Sequence, residues 1–383
     1  MSEAAPEPAA AATARAATAT AAARAATPAP AYRARAGDPE RARATVLEVW
    51  RGNLGDDARM PRKYDWFYLH APAGLPLLHL LDHHAPASAV PSDVGASPSA
   101  TVVGACALGQ RRMLQRGAPV RAGVLVDLAV LPAHRSLGPA LMLQQDLFAA
   151  GRARLDVLYG FPNPKAAPVF KRIGYRPLGE MVRYVRVVRT APYLRRRLPK
   201  ALAPVAAPIA ALAGPVLDLA RRLRTGGSGR LACAWSSRVP DLTMLWADSA
   251  KPEALTAIRE QAYLRWRFDE APGADFRHLL LSAGDHAEAW FATRSDGHTL
   301  HVLDFWQRGA GATPSPASLR ALLIAAHDDG HAAVSIELAT SAERLQPWRD
   351  LGFEARSRRP IFGHASSGDA ALDLHLTSAD EDE

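Results

Sequence analysis

From Leu75 to Val188 apolar residues alternate with polar ones or gather in short β-branched runs, interrupted by two stretches with helical spacing. The alternating pattern predicts strands near 75–82, 100–108, 120–131, 155–161 and 176–188. Recurrence of apolar residues every three or four positions predicts helices over 136–150 and 164–173. Two helices should come first, one capped by Asp38 over 39–51 and one over 61–70. The turn-rich stretch 85–99 reads as a loop. Strands interleaved with helices in this order imply an α/β fold, a mixed and mostly antiparallel sheet flanked by helices.

A second stretch repeats features of the first. KYDWFYLHAPAG places Trp66, Ala71, Pro72 and Gly74 before an apolar strand, and YLRWRFDEAPGA places Trp266, Ala271, Pro272 and Gly273 before another. Asp127, Gly151 and 170–175 recur in order as Asp304, Gly330 and 348–353. Such agreement of order and spacing predicts two copies of one α/β unit. The expected organisation is a disordered Ala/Pro-rich tail at 1–44, a first unit at 45–189, a connector at 190–235, a second unit at 236–365 and an acidic disordered tail at 366–383.

Charge singles out the connector region. Between Arg189 and Arg230 nine basic side chains face one acid, Asp218, which accounts for the whole net charge of +8. Leu194, Leu198, Leu202, Val205, Ile209 and Leu212 follow helical steps, and Pro199, Pro204, Pro208 and Pro215 forbid a straight helix, so a kinked amphipathic connector is expected. Asp218 would cost about 2.5–3.5 kcal/mol at a bilayer centre, which cancels the gain from the large apolar residues of 201–220 and argues against a span. Packing on a neighbouring unit and peripheral contact with an anionic membrane surface through 189–230 both stay open. The basic cluster is not regularly interleaved with aromatics, Tyr193 standing alone in it, and no nucleic-acid module matches, which argues against nucleic acid. Only Cys106 and Cys233 are present, without disulfide or zinc spacing, so a reducing cytoplasmic setting and no metal are expected. Asp82, His83 and His84 lack a helical ligand spacing.

The chemistry concentrates in VLPAHRSLGPALMLQQDL, where a strand gives way to a helix through Arg135, Ser136, Leu137, Gly138, Pro139 and Ala140. The first N–H groups of a helix have no internal partners and sit at the positive end of its dipole. Gly138 keeps the turn slim and Pro139 suits the first helical turn, so this start is suited to the diphosphate of a cofactor.

The segment resembles the central motif of the GNAT superfamily of acyl-CoA-dependent N-acyltransferases, a strand, then [RQ]-x-x-G-x-[GA], then a helix, matched by Arg135 to Ala140. A second element, in YGFPNPKAAPVFKRIGYRPLG, sets Asn163, Ala166 and Gly174-Tyr175 at the family's positions. The family's usual tyrosine, the proton donor to the departing thiolate, falls at Phe170, which has no proton to give. The resemblance, with the repeat, implies two tandem GNAT-like domains of which the second is degenerate, since Gly309 and Gly311 come too early there and Pro314 and Pro316 precede its helix.

It also implies acetyl-CoA, or another acyl-CoA, as co-substrate and no metal. The phosphate turn at 135–140, Asn163, Ala166 and Phe170 would line the cofactor. The backbone of Asp127, Leu128, Ala129 and Val130 would face the pantetheine arm, and the amides of 128–130 would stabilise an oxyanion. Asp127 is the first candidate base, with a structural carboxylate as the equal alternative. Tyr159 and Tyr175 are candidate substitutes for the missing acid, or packing aromatics.

The expected activity is transfer of an acetyl or other acyl group to a primary amine of unknown identity, by direct attack in a ternary complex. A non-catalytic acyl-CoA-binding or scaffold protein is the alternative, and homodimer formation stays open. Membrane contact through the connector predicts co-sedimentation with anionic vesicles that is lost when Arg195, Arg196, Arg197, Arg221 and Arg222 become Gln. Wild-type protein that stays in the supernatant would leave the connector as a packing element.

Overall fold

The computed structural model describes residues 31–84, 100–163, 166–189, 231–273, 275–366 and 372–381. The first half runs β1 (Tyr32–Gly37), α1 (Arg43–Trp50), α2 (Met60–Tyr64) continuing into a π-turn (Asp65–Leu69), β2 (Leu77–His83), β3 (Thr101–Gln115) and β4 (Ala118–Val130). A 3-10 turn (Pro132–His134), α3 (Leu137–Arg154), β5 (Val157–Gly160), α4 (Ala167–Ile173) and β6 (Arg176–Val187) complete it. The second half runs β7 (Ala232–Ser236), α5 (Thr243–Ala247), β8 (Thr256–Ala257), α6 (Gln261–Leu264) with its π-turn (Arg265–Asp269), β9 (Phe276–Ala283), β10 (His286–Asp296) and β11 (Thr299–Gln307). It closes with α7 (Pro316–Asp328), β12 (Ala333–Ala339), α8 (Ala342–Asp350), β13 (Glu354–Ala365), β14 (Leu376–Thr377) and a 3-10 turn (Ser378–Asp380).

Local chemistry accounts for the elements that frame the site. Asp38 accepts from the backbone amide of Glu40, so residues 39–42 make a turn and the helix expected from 39 begins only at Arg43. Gly151 lies inside α3 because a Cβ there would stand 2.5 Å from Leu108 Cδ1 of β3. Its sequence counterpart Gly330 instead follows α7 in a left-handed conformation, so that part of the repeat has no structural equivalence. Along β4, alternation sends Val124 and Val126 to one face of the sheet and Leu125 to the other. Val46, Trp50, Tyr64 and Tyr68 pack on the first face, and Leu143, Phe148, Phe170 and Ile173 on the second. Each such large side chain, fully buried, contributes about 1.5–3 kcal/mol.

One sheet spans the molecule in the order β1-β2-β3-β4-β5-β13-β6-β12-β11-β10-β9-β7, with β14 on β12 and β8 on β3. Only β4–β5 and β11–β12 are parallel among the main pairs. The order reads the same from both ends once each half's last strand is exchanged. β13 pairs with β5 of the first half, β6 pairs with β12 of the second, and β6 and β13 pair with each other. Two separable domains at 45–189 and 236–365 are therefore replaced by halves that complete each other's sheet. The exchange leaves neither long strand with an open edge, a hazard that isolated units would carry.

The expected tails are corrected too. The first ends before Tyr32, because β1 pairs with β2 from Tyr32–His83 to Gly37–Leu78. The connector yields to β7 at Ala232, and residues 190–230 lie outside the described residues. The acidic tail expected from 366 includes a buried segment. Leu374 and Leu376 join the central core, and the carbonyls of Ala379 and Asp380 accept from Tyr263 and Tyr159.

At the centre the two π-turns meet. Trp66 and Trp266 stack with centroids 4.7 Å apart and planes 16° from parallel. Trp66 Nε1 donates to the Trp266 carbonyl at 2.7 Å, and Trp266 Nε1 donates to the Trp66 carbonyl at 3.0 Å. Each indole thus satisfies its polar atom on the backbone of its counterpart. Two hydrogen bonds of about 1 kcal/mol and a stack of about 0.5–1.5 kcal/mol add to the burial of both rings.

The C-terminal segment holds an ion cluster. Arg259 donates to both Asp304 oxygens, at 2.8–3.1 Å, and lies 4.0 Å from Asp380. Burial pushes the Asp380 carboxyl up to about 6, against the pull of Arg259. A folded-state value above the unfolded one means that the folded protein binds the extra proton, so this stabilisation is full below about pH 4 and is lost as pH rises through about 6. The urea midpoint of wild type relative to Asp380→Asn should accordingly fall between pH 4 and 6.5, and a flat difference curve would contradict the assignment.

Candidate functional site

β4 and β5 pair only through Ala122–Val157, Gly123–Leu158 and Val124–Tyr159. Beyond Val124 they part, so Leu125 to Val130 have no β5 partner on that side. A β-bulge falls here, because the β3 register slips between Ala105–Ala129 and Ala107–Val126. Asp127, within the bulge, has φ +54°, a left-handed conformation that Asp tolerates better than most residues. The result is a slot between two splayed strands, walled by Leu128, Ala129 and Val130 on one side.

The helix start at the end of the slot is open. Ser136 takes the extended N-cap conformation, but among the described residues no side chain caps the first turn of α3, and no acid lies in that turn. Arg135, Ser136 and Gly138 are exposed, while Pro139 is buried in the first turn and Ala140 is partly covered. A Cβ built at Gly138 would meet no atom within 4 Å, so packing does not explain this glycine. An uncapped helix start of this kind can receive an anion on the N–H groups of Leu137, Gly138 and Ala140, Pro139 having none to give. Arg135 is directed elsewhere, since its Nε donates to the Val130 carbonyl at 3.0 Å and its Nη2 to Asn53. It fixes the strand-to-turn geometry, and it removes the Val130 carbonyl from the set that a pantetheine arm could use.

Asn163 closes the turn into α4, its Oδ1 accepting from Ala166 N at 2.9 Å. Phe170 is buried in the α3–α4 core, 5.2 Å from the Tyr175 ring and against Gly160. The two candidate acids need correction. Tyr159 lies on the opposite face of β5 from Gly160, and its hydroxyl donates to the Asp380 carbonyl, fully buried. Tyr175 is buried beside Phe148 and Phe170 with no hydrogen-bond partner for its hydroxyl. Burial raises both phenols, so neither is a ready proton donor to the slot.

Asp127 is held from the α1–α2 face. Lys63 Nζ donates to Oδ1 at 2.7 Å and the Tyr68 hydroxyl to Oδ2 at 3.1 Å, with the carboxylate side chain 4% exposed. Burial, then the Asp127 charge, keeps the Tyr68 phenol protonated well past its ordinary range. Lys63 and Tyr68 stand five residues apart and reach one carboxylate because the π-turn replaces the ordinary i→i+4 spacing. Sequence reasoning named neither as a site residue, since no local motif marks a π-turn.

The second half carries the equivalent strand divergence, closed. β11 and β12 pair from Thr299–Ala333 to Val302–Ile336 and then separate. β14 adds to β12 there, at Leu338–Thr377 and Ala339–Leu376, and Thr377 Oγ1 donates to Asp304. Ser315 caps α7 by accepting from Ser318 N, so that helix start is occupied as well. Among the described residues no group of three His, Cys, Asp or Glu side chains converges on a cation position, and Asp82 is paired with Arg35.

In three dimensions the chain is similar to a GCN5-related N-acetyltransferase from Anabaena variabilis ATCC 29413, with 11% identity, 87% of this chain and 72% of that one covered, and a TM-score of 0.54. It is similar to another from Kribbella flavida, with 14% identity, coverage of 88% and 71%, and a TM-score of 0.52. A conserved Enterococcus faecalis V583 protein of unknown function, given as a probable N-acyltransferase, matches at 10% identity, coverage of 87% and 72%, and a TM-score of 0.57. No protein-family model and no curated protein matches the chain. At these identities the likeness shows the fold, and the fold is that of the GNAT proteins.

Gly138→Leu should leave the melting temperature nearly unchanged, because its side chain enters open space. Calorimetry should show CoA affinity reduced by about tenfold or more, the loss of one good phosphate contact. Unchanged affinity would remove the diphosphate from this turn.

Proposed function

We propose that the first half binds acyl-CoA and transfers its acyl group, acetyl in the simplest case, to a primary amine without a covalent enzyme intermediate. The observation that carries this reading is the conjunction of a splayed β4–β5 slot, a bulge at Asp127 and an uncapped helix start with free space over Gly138.

When bound, the thioester supplies an electrophilic carbonyl at which the C–N bond forms as the C–S bond breaks, leaving CoA and an amide. The chain's task is to orient that carbonyl, to donate hydrogen bonds to its oxygen, and to hold the amine uncharged. Amides of the bulged strand at 128–130 are the oxyanion donors in this reading. Asp127 accepts the amine proton directly or through water, and Lys63 and Tyr68 position it. With Phe170 at the family's tyrosine position, the thiolate leaves without a tyrosine proton there. CoA thiols are acidic enough for the leaving group to depart as an anion, with the proton returning from solvent.

The test uses the whole chain, because β5 is completed by β13. CoA release from acetyl-CoA should rise when a panel of primary amines is offered, and Asp127→Asn should lower kcat by about a hundredfold with CoA affinity kept. Asn tolerates the positive φ at 127, so the substitution tests charge rather than backbone shape. Tight acetyl-CoA binding with no amine-dependent release across the panel would favour a non-catalytic acyl-CoA-binding protein instead.

A further inference from the structure

A cavity of about 250 Å³ opens on the second half, on the sheet face that in the first half is covered by α1 and α2. Arg183 of β6, Arg294 of β10, His301 of β11, and Ser335 and Glu337 of β12 line it, and Ser378 of the C-terminal segment forms part of its wall. Strand register explains the convergence, since Arg183 pairs across from Glu337, Arg294 from His301, and His301 from Ser335.

Val124 and His301 each stand three residues before the Asp, and matching their parallel pairs Val124–Tyr159 and His301–Ser335 sets Val124, Tyr159 and Phe161 of the first half against His301, Ser335 and Glu337 of the second. Three positions that serve an apolar core in one half are polar in the other, so packing does not account for them. Charge is unevenly matched as well. Glu381 lines the cavity too, and both it and Glu337 contact Arg359, so three guanidinium groups share the wall with two carboxylates. Among the described residues no carboxylate pairs with Arg183 or Arg294, and the Arg183 Nε is buried with no hydrogen-bond partner. Ser335 Oγ and His301 Nδ1 lie 3.0 Å apart, and burial, with the nearby Arg183 and Arg294 charges, lowers the imidazole so that it stays neutral.

We propose that this cavity binds a small oxyanion, a phosphoryl or carboxylate group, between Arg183 and Arg294, with His301 and Ser335 as hydrogen-bonding neighbours. Two guanidinium groups in no ion pair, beside a neutral imidazole and a hydroxyl, match the donor-rich surroundings that such anions select. The cavity limits the ligand to a metabolite-sized molecule. The site lies in the half whose slot is closed by β14, and its existence does not depend on acyl transfer in the first half.

The experiment follows the imidazole signals of the full-length protein labelled with 15N in histidine, the His301 signal being assigned with His301→Gln. Inorganic phosphate and succinate are titrated separately. The expected result is a saturable shift of the His301 signal with at least one anion, and a midpoint about tenfold or more higher in Arg183→Gln/Arg294→Gln. A response to phosphate alone, or to succinate alone, identifies which oxyanion the site prefers. Fully buried His278 and His375 serve as internal reporters that the variant keeps its fold. If the double variant disturbs them, Arg294→Gln alone is used, because Arg294 is exposed. A His301 signal unmoved by both anions, or an equal midpoint in the variant, overturns the proposal. Phosphate held at the first-half turn does not move His301, so the two sites are read separately.

Discussion

The reciprocal bond between Trp66 and Trp266 is the constraint from which the rest of the architecture follows. Each ring needs an acceptor for its buried N–H, and each finds it only on the other half's π-turn. Satisfying both at once requires the halves to meet about a local two-fold axis. That relation brings β6 and β13 side by side in antiparallel order and permits the exchange of last strands. Arg111 and Arg267 lie over these rings as well, so the junction couples aromatic packing to two long cationic side chains. Replacing either indole removes its donor and leaves the carbonyl of its counterpart without that hydrogen bond.

Symmetry of backbone has not meant symmetry of use. Both halves contain a parallel strand pair that opens after three or four residues and an Asp at a bulge, Asp127 within it and Asp304 beside it. In the first half, among the described residues, no further strand lies in the opening and no side chain caps the following helix start. In the second, the chain's own β14 lies in the opening, Thr377 binds the Asp, and Ser315 caps the helix. The carboxylates diverge accordingly. Asp127 is held by a lysine and a tyrosine at the edge of a slot, while Asp304 is locked to Arg259 as a structural ion pair. One half keeps an accessible crevice and the other supplies strands and a wall.

Much of the first half was legible because its signals are local. Period-two alternation located β2 and β4 to β6, and the Gly138–Pro139 start located α3, each within a few residues, whereas β3 runs seven residues past the expected end at 108. The long-range features were not. Nothing in Arg176–Val187 says that its neighbours will be β12 and β13 rather than β5, because a strand's pattern states which face is buried and not which edge it joins. The acidic composition after 366 concealed Leu374, Leu376 and a buried Asp380, whose partners lie in other elements. At the site, the turn and Asp127 were read from their motif. The positions of Tyr159 and Tyr175 were not, since an aromatic residue gives no sign of where its hydroxyl points. Lys63 and Tyr68 depended on a π-turn that leaves no composition signature.

The exchange of terminal strands also orders events during synthesis. Val157–Gly160 leave the ribosome nearly two hundred residues before Glu354–Ala365, the strand that completes their edge. Until then the first half presents an unsatisfied strand next to its own crevice. Closing contacts of such long sequence separation is slow, and the waiting intermediate is prone to pair with other chains. A crevice that becomes whole only when the last long strand arrives ties the competence of the first half to translation of the second.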